Sequence, residues 1–156
     1  GILIGNLLGA NQLDKAKSYA ARLTRLAAVV GVGTGVFLVA LTPVIMNITQ
    51  LTPQAASYLR IMIAFTGLNV AAQAVNHAVL DGIFGAGGDA KFDMKSNIVF
   101  MWCICVPLSQ LAAFRWHWSA PVVFCLCSMD ELIKLPAVFL HYRKYIWLRN
   151  ITRDNT

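Results

Sequence analysis

Long apolar blocks alternate with short charged or glycine-rich stretches along this chain. A helix rises 1.5 Å per residue, so about 20 apolar residues cross the core of a bilayer. By that measure the pattern predicts spanning helices at about residues 26–46, 59–84, 96–114 and 118–142. An apolar run at residues 1–10 is too short to span and reads as the end of a truncated helix. Asn11 is expected as the N-cap of the next segment, with Asp14 in its first turn complementing the helix dipole. Lys15, Lys17, Arg22 and Arg25 make a polar, amphipathic lead-in to the first span. The tail, residues 143–156, is basic and aromatic, an interface anchor. The expected fold is all-α: a polytopic transmembrane bundle of four spanning helices plus the end of a truncated one.

Punctuation within the blocks refines this. Gly31 and Gly35 form a G-x-x-x-G, which allows close helix approach or ordinary small-residue packing. Pro43 is expected to kink or end the first span, before a short uncharged loop at 47–52. Thr52 followed by Pro53 is a strong helix start, with Thr as N-cap and Pro at the first helical position. Gly85, Gly87 and Gly88 suit a C-cap and a tight turn after the second span. Pro107 is expected to kink the third span, and Pro136 leaves the carbonyl of Leu132 without its helical donor.

The polar residues inside apolar helices carry the candidate chemistry. Asn69, Gln73, Asn76, His77 and Asp81 follow i, i+4, i+7, i+8 and i+12, one helix face. Such a stripe lines a cavity or makes interhelical hydrogen bonds. The fourth span holds Asp130, Glu131 and Lys134 near its middle. At about 100° per residue Lys134 falls angularly between the two acids, so all three share one arc. A charge at membrane depth costs roughly 2.5–3.5 kcal/mol on insertion scales, so these side chains must face a partner helix or a wet cavity. One ammonium neutralises one carboxylate; the surplus acid is a place for a proton or a cation, or the trio is an i, i+4 pair that only fixes how the last helix packs.

Composition agrees with a membrane setting. Of the 156 residues 58% are hydrophobic and 13% charged, where soluble domains carry about a quarter charged. The net charge of +6 does not point to nucleic acid, because the basic residues sit at the ends of apolar blocks, as topology signals and anionic-lipid contacts do. Lys15, Lys17, Arg22, Arg25, Lys91, Lys95, Arg143, Lys144, Arg149 and Arg153 fall on one side of the predicted spans, Arg60 and Arg115 on the other. The positive-inside rule then makes the first side, with the C-terminus, cytoplasmic. Cys103, Cys105, Cys125 and Cys127 form two C-x-C pairs whose members point about 200° apart on a helix. They make no metal face and are expected as buried, inert thiols. There is no nucleophile–base constellation, so an enzyme is not expected. The chain opens at Gly1 inside an apolar run, and the expectation is a C-terminal piece of a longer polytopic protein.

The order of landmarks resembles the C-terminal lobe of multidrug and toxic compound extrusion (MATE) transporters. The segment from Gly5 through Gly9, Ala10 and Asn11 to Asp14 and Ala16 is similar to the turn after the eighth helix of that family. The segment from Gly82 through Gly87 and Gly88 to Asp89 is similar to the G-x-[LF]-R-x-G-G-D-T stretch after the tenth. Trp102 with Pro107 resembles the eleventh helix. Asp130, Glu131 and Lys134, followed by Arg143, Trp147, Asn150 and Thr152, resemble the twelfth and its tail. Gly85 stands where arginine is usual, Ala90 where threonine is usual, and Ala74 where some members carry a cation-binding acid.

The resemblance implies the C-terminal part of the second lobe of a two-lobe, twelve-helix antiporter in a bacterial plasma membrane, completed by a missing N-terminal lobe. That antiporter would export cationic or amphipathic organic compounds in exchange for H⁺ or Na⁺, with membrane lipid around it and no other cofactor. Asp130 or Glu131 would take the coupling ion, and the stripe from Asn69 to Asp81 would line the lobe. A lipid-linked oligosaccharide flippase of the same superfamily would favour a more basic cavity than Lys134 alone offers. A non-transporting four-helix membrane subunit would assemble through Gly31 and Gly35.

Overall fold

A computed structural model describes residues 1–149. Asn150, Thr152 and Arg153, which the sequence reading placed in the tail, lie outside the described residues. A short helix α1 (Ile2–Gly9) is followed by α2 (Leu13–Ile48), α3 (Pro53–Phe84), α4 (Ala90–Arg115), α5 (Ala120–Ser128) and α6 (Asp130–Arg143). Helices α2, α3 and α4 are each long and apolar enough to cross a membrane. Among the described residues no strand occurs. The chain is therefore an all-α membrane-helix bundle.

The helix starts follow from local chemistry. Thr52 caps α3, its Oγ1 accepting from the Ala55 N–H at 3.4 Å, with Pro53 in the first turn. Asn11 does not cap α2. It takes a left-handed φ of 58°, and its N–H donates to the Leu8 carbonyl at 3.0 Å to turn the chain; α2 begins at Leu13. A short amide side chain tolerates that conformation, which explains why the same residue type suits either role. Helix α2 breaks register at Leu41 and resumes with Pro43 in its new first turn, reaching Ile48. Pro107 is accommodated between two stretches of wide i→i+5 turns, Ile98–Cys105 and Leu111–Arg115.

The fourth apolar block is not one helix. It breaks at Met129 (φ −84°, ψ −1°), which separates α5 from α6. The first backbone bond of the new helix runs from Ile133 N–H to the Met129 carbonyl at 3.0 Å. Asp130 and Glu131 thereby occupy the first turn of α6, where the unpaired N–H groups of a helix start favour negative charge. The break lies upstream of Pro136, which sits inside α6.

Helices α2 and α3 lie side by side, and small residues set their separation. A Cβ on Gly31 would come within 2.7 Å of the Ala74 Cβ. A Cβ on Gly35 would land on the Gly67 carbonyl. Valines and aromatics such as Val29, Val36, Phe37, Phe114 and Phe139 point outwards, as lipid-facing residues do. The close-packed core gathers at the basic end of the bundle, from Ile4, Leu8, Ala16, Ala20, Leu80, Phe84, Val138 and Trp147. Of the cysteines only Cys105 is buried; Cys103 and Cys127 are exposed, contrary to the expected burial of all four. The C-x-C spacing puts partners on opposite sides of a helix, so one of each pair turns outwards.

At the same end the tail is stapled to the α3–α4 turn. Trp147 is fully buried, and its carbonyl and Cβ sit against Gly87. The Arg149 guanidinium donates to the Gly87 and Gly88 carbonyls at 3.2 and 3.1 Å. His141 Nε2 lies 2.5 Å from Asp89 Oδ2, and its ring stacks on Phe92 at 3.8 Å. Gly87→Ala would drive a methyl into the Trp147 backbone. It is expected to undock the tail and raise trypsin cleavage at Arg143 and Lys144 by roughly tenfold, the effect of losing about 1.4 kcal/mol of docking. Unchanged cleavage in the purified full-length protein would show that the staple does not hold the tail.

Candidate functional site

The break at Met129 assembles a polar network from three helices. Lys134 is only 2% exposed and reaches three acceptors. Its Nζ lies 2.7 Å from Glu131 Oε1, 3.2 Å from Asp130 Oδ2 and 2.8 Å from Asn97 Oδ1. Three acceptors match the three protons of an ammonium. The i, i+3 and i, i+4 spacing on α6 makes the two acid contacts, as the sequence arc requires.

From α3, Asn76 closes the other side. It is 1% exposed, and its Nδ2 donates to both the Glu131 carbonyl and Glu131 Oε2 at 2.8 Å. Both oxygens of the Glu131 carboxylate are thus engaged. Asp130 is held by one oxygen, at the longer distance. One turn pair earlier on the same face, Asn69 Nδ2 donates to the Ser128 carbonyl at 2.6 Å, satisfying backbone at the α5 end of the break. Asn69 Oδ1 and Asn76 Oδ1 are buried with no hydrogen-bond partner among the described residues. Buried amide oxygens normally find a donor, and these two are exceptions to that rule.

The network continues into α4. Asn97 Nδ2 donates to Asp93 Oδ1 at 3.0 Å while its Oδ1 faces Lys134. The trio alone carries one uncompensated negative charge when both acids are ionised, which is the condition for taking up a proton or cation.

The polar stripe divides. Asn69 and Asn76 face α5 and α6, whereas Gln73, His77 and Asp81 are exposed. His77 Nδ1 and Asp81 Oδ2 pair at 2.7 Å with side chains 58% and 61% exposed. The reason is angular drift: steps of four advance about 40° beyond a full turn, so the stripe winds from the buried face to the open one. Only its i, i+7 members stay in line. Asp93 and Asn97 were not singled out by the sequence, because they fall at the charged head of the third apolar block; their i, i+4 spacing was the available signal.

The family model MatE matches residues 1–111. An uncharacterized transporter of Bacillus subtilis (strain 168), YisQ, is 22% identical over 148 residues, covering 95% of this chain and 32% of the relative. The chain thus spans about a third of the length of that curated relative. No solved structure gives a significant match.

Proposed function

Because this chain belongs to the MatE family, a family of membrane transporters, we propose that it forms the C-terminal part of a secondary antiporter that exports cationic or amphipathic organic compounds against H⁺ or Na⁺. In this reading the rest of the transporter supplies the opposing lobe, the protein lies in a bacterial plasma membrane, and the end bearing Lys17, Lys91 and Arg149 is cytoplasmic. The observation that carries the proposal is Lys134 buried against two carboxylates at a helix break. An interrupted spanning helix puts unpaired backbone groups and a helix start inside the membrane, an arrangement suited to ion binding.

The chemistry is exchange at one charge. With both acids ionised the trio is net negative and attracts a proton or a cationic compound. Once a proton is bound the trio is neutral and no longer attracts the cation. Asp130 is the better acceptor of the two, since Glu131 already has both carboxylate oxygens bonded. Asn76 keeps the Glu131 side chain in place during that change.

The test is transport by the full-length protein in proteoliposomes with an imposed pH or Na⁺ gradient. Asp130→Asn is expected to lower ion-driven export of a lipophilic cation at least about tenfold, the weight of one lost charge interaction of roughly 1.4 kcal/mol. Glu131→Gln, which loses the ionised partner of Lys134, is expected to impair export as well. If both variants export normally and remain ion-coupled, the acid pair is structural and the coupling group lies elsewhere.

A further inference from the structure

Asn97 has two different ends, and their assignment is fixed by a neighbour. An ionised carboxylate only accepts hydrogen bonds. Asp93 Oδ1 therefore holds the nitrogen end of Asn97, at 3.0 Å. The oxygen end is left for the Lys134 ammonium, at 2.8 Å. Were the amide reversed, its NH₂ would face the ammonium and the lysine would lose an acceptor. Lys134 would then be held only by the acids on its own helix.

Resting on the reading that Asp130 and Glu131 bind the coupling proton, we propose that Asp93 is a positioning residue for that site: by orienting Asn97 it seats Lys134 against the acid pair and thereby sets the pH at which the pair takes up its proton. Asp93 touches neither acid. It acts from the start of α4, one helical turn before Asn97. What the contact requires of residue 93 is an oxygen that accepts from the Asn97 amide, which a carboxylate and a neutral amide both supply. The other ionisable groups around Asp93 are His77 and Asp81 from α3, with Lys134 and Glu131 from α6. Beside Asp130 stand Lys134 on its own helix and Cys105 of α4.

The purified full-length protein provides a test that needs no known substrate. The infrared band of protonated carboxyl groups is followed against pH, and Asp130→Asn with Glu131→Gln identifies the part that belongs to the acid pair. Asp93→Ala and Asn97→Ala are each expected to move the midpoint of that part upwards by about one pH unit, as a loosened ammonium neutralises the pair less well. Asp93→Ala combined with Asn97→Ala should move it no further than either alone, since both act through one contact. Asp93→Asn keeps an oxygen that can accept from Asn97 and is expected to return the midpoint close to that of the parent protein. The proposal is overturned if Asp93→Ala leaves the midpoint in place, if the two alanine changes add, or if Asp93→Asn shifts it as far as Asp93→Ala, which would show that an oxygen accepting from Asn97 is not what seats the lysine. A band that Asp130→Asn and Glu131→Gln leave untouched sinks the reading of the acid pair itself, an outcome distinct from the others.

Discussion

Lys134→Met in the full-length protein is expected to lower stability by about 3–5 kcal/mol, the usual cost of removing one partner from a buried ion pair. The methionine fills nearly the same volume, so packing loss is small. The damage is electrostatic: Asp130 and Glu131 keep side chains only 18% and 14% exposed and lose their counter-ion. Asn97 Oδ1 loses its donor in the same step. The triple variant Asp130→Asn, Glu131→Gln, Lys134→Met should recover most of the loss, because a neutral polar cluster carries no unpaired charge. Thermal unfolding of the detergent-solubilised protein measures both. Equal midpoints for Lys134→Met and the parent would mean that the ammonium does not neutralise the acids in the folded protein.

Gly35→Leu is expected to cost up to about 3 kcal/mol, at the upper end for overpacking. Its Cβ would meet the carbonyl of Gly67, which is backbone and cannot rotate away. The α2–α3 pair would have to separate along its length. Gly33→Leu is the matched control, since a Cβ there meets nothing within 4 Å. It adds an apolar side chain to an open face and should be close to neutral. The yield of monodisperse protein by size-exclusion chromatography separates the two; similar losses at both positions would show that contact with α3 does not decide the outcome.

What the residues disclosed in advance, and what they did not, has physical causes. Apolar length and the Thr52-Pro53 start were sufficient for α3, because membrane helices announce themselves by composition. The grouping of Asp130, Glu131 and Lys134 was legible because it depends on spacing within a turn. The break at Met129 was not. It is stabilised from outside the segment, by Asn69 on the Ser128 carbonyl and Asn76 on Glu131, and a pattern within one helix carries no sign of donors on another. The stripe divides for a simpler reason: five positions at i, i+4, i+7, i+8 and i+12 form a spiral, and a spiral wide enough runs from a buried face to an exposed one. Asp93 and Asn97 were missed because hydropathy assigns them to a boundary, where polar residues attract no notice.

The staple formed by Trp147 and Arg149 on the α3–α4 turn has a consequence for biogenesis. The turn emerges from the ribosome well before the tail. At about 5–20 residues per second, Gly87 waits several seconds for the indole and guanidinium that cover it. A message cut short just after Arg143 would insert every apolar segment yet leave that seam bare, giving quality-control proteases a handle at the basic rim of the bundle.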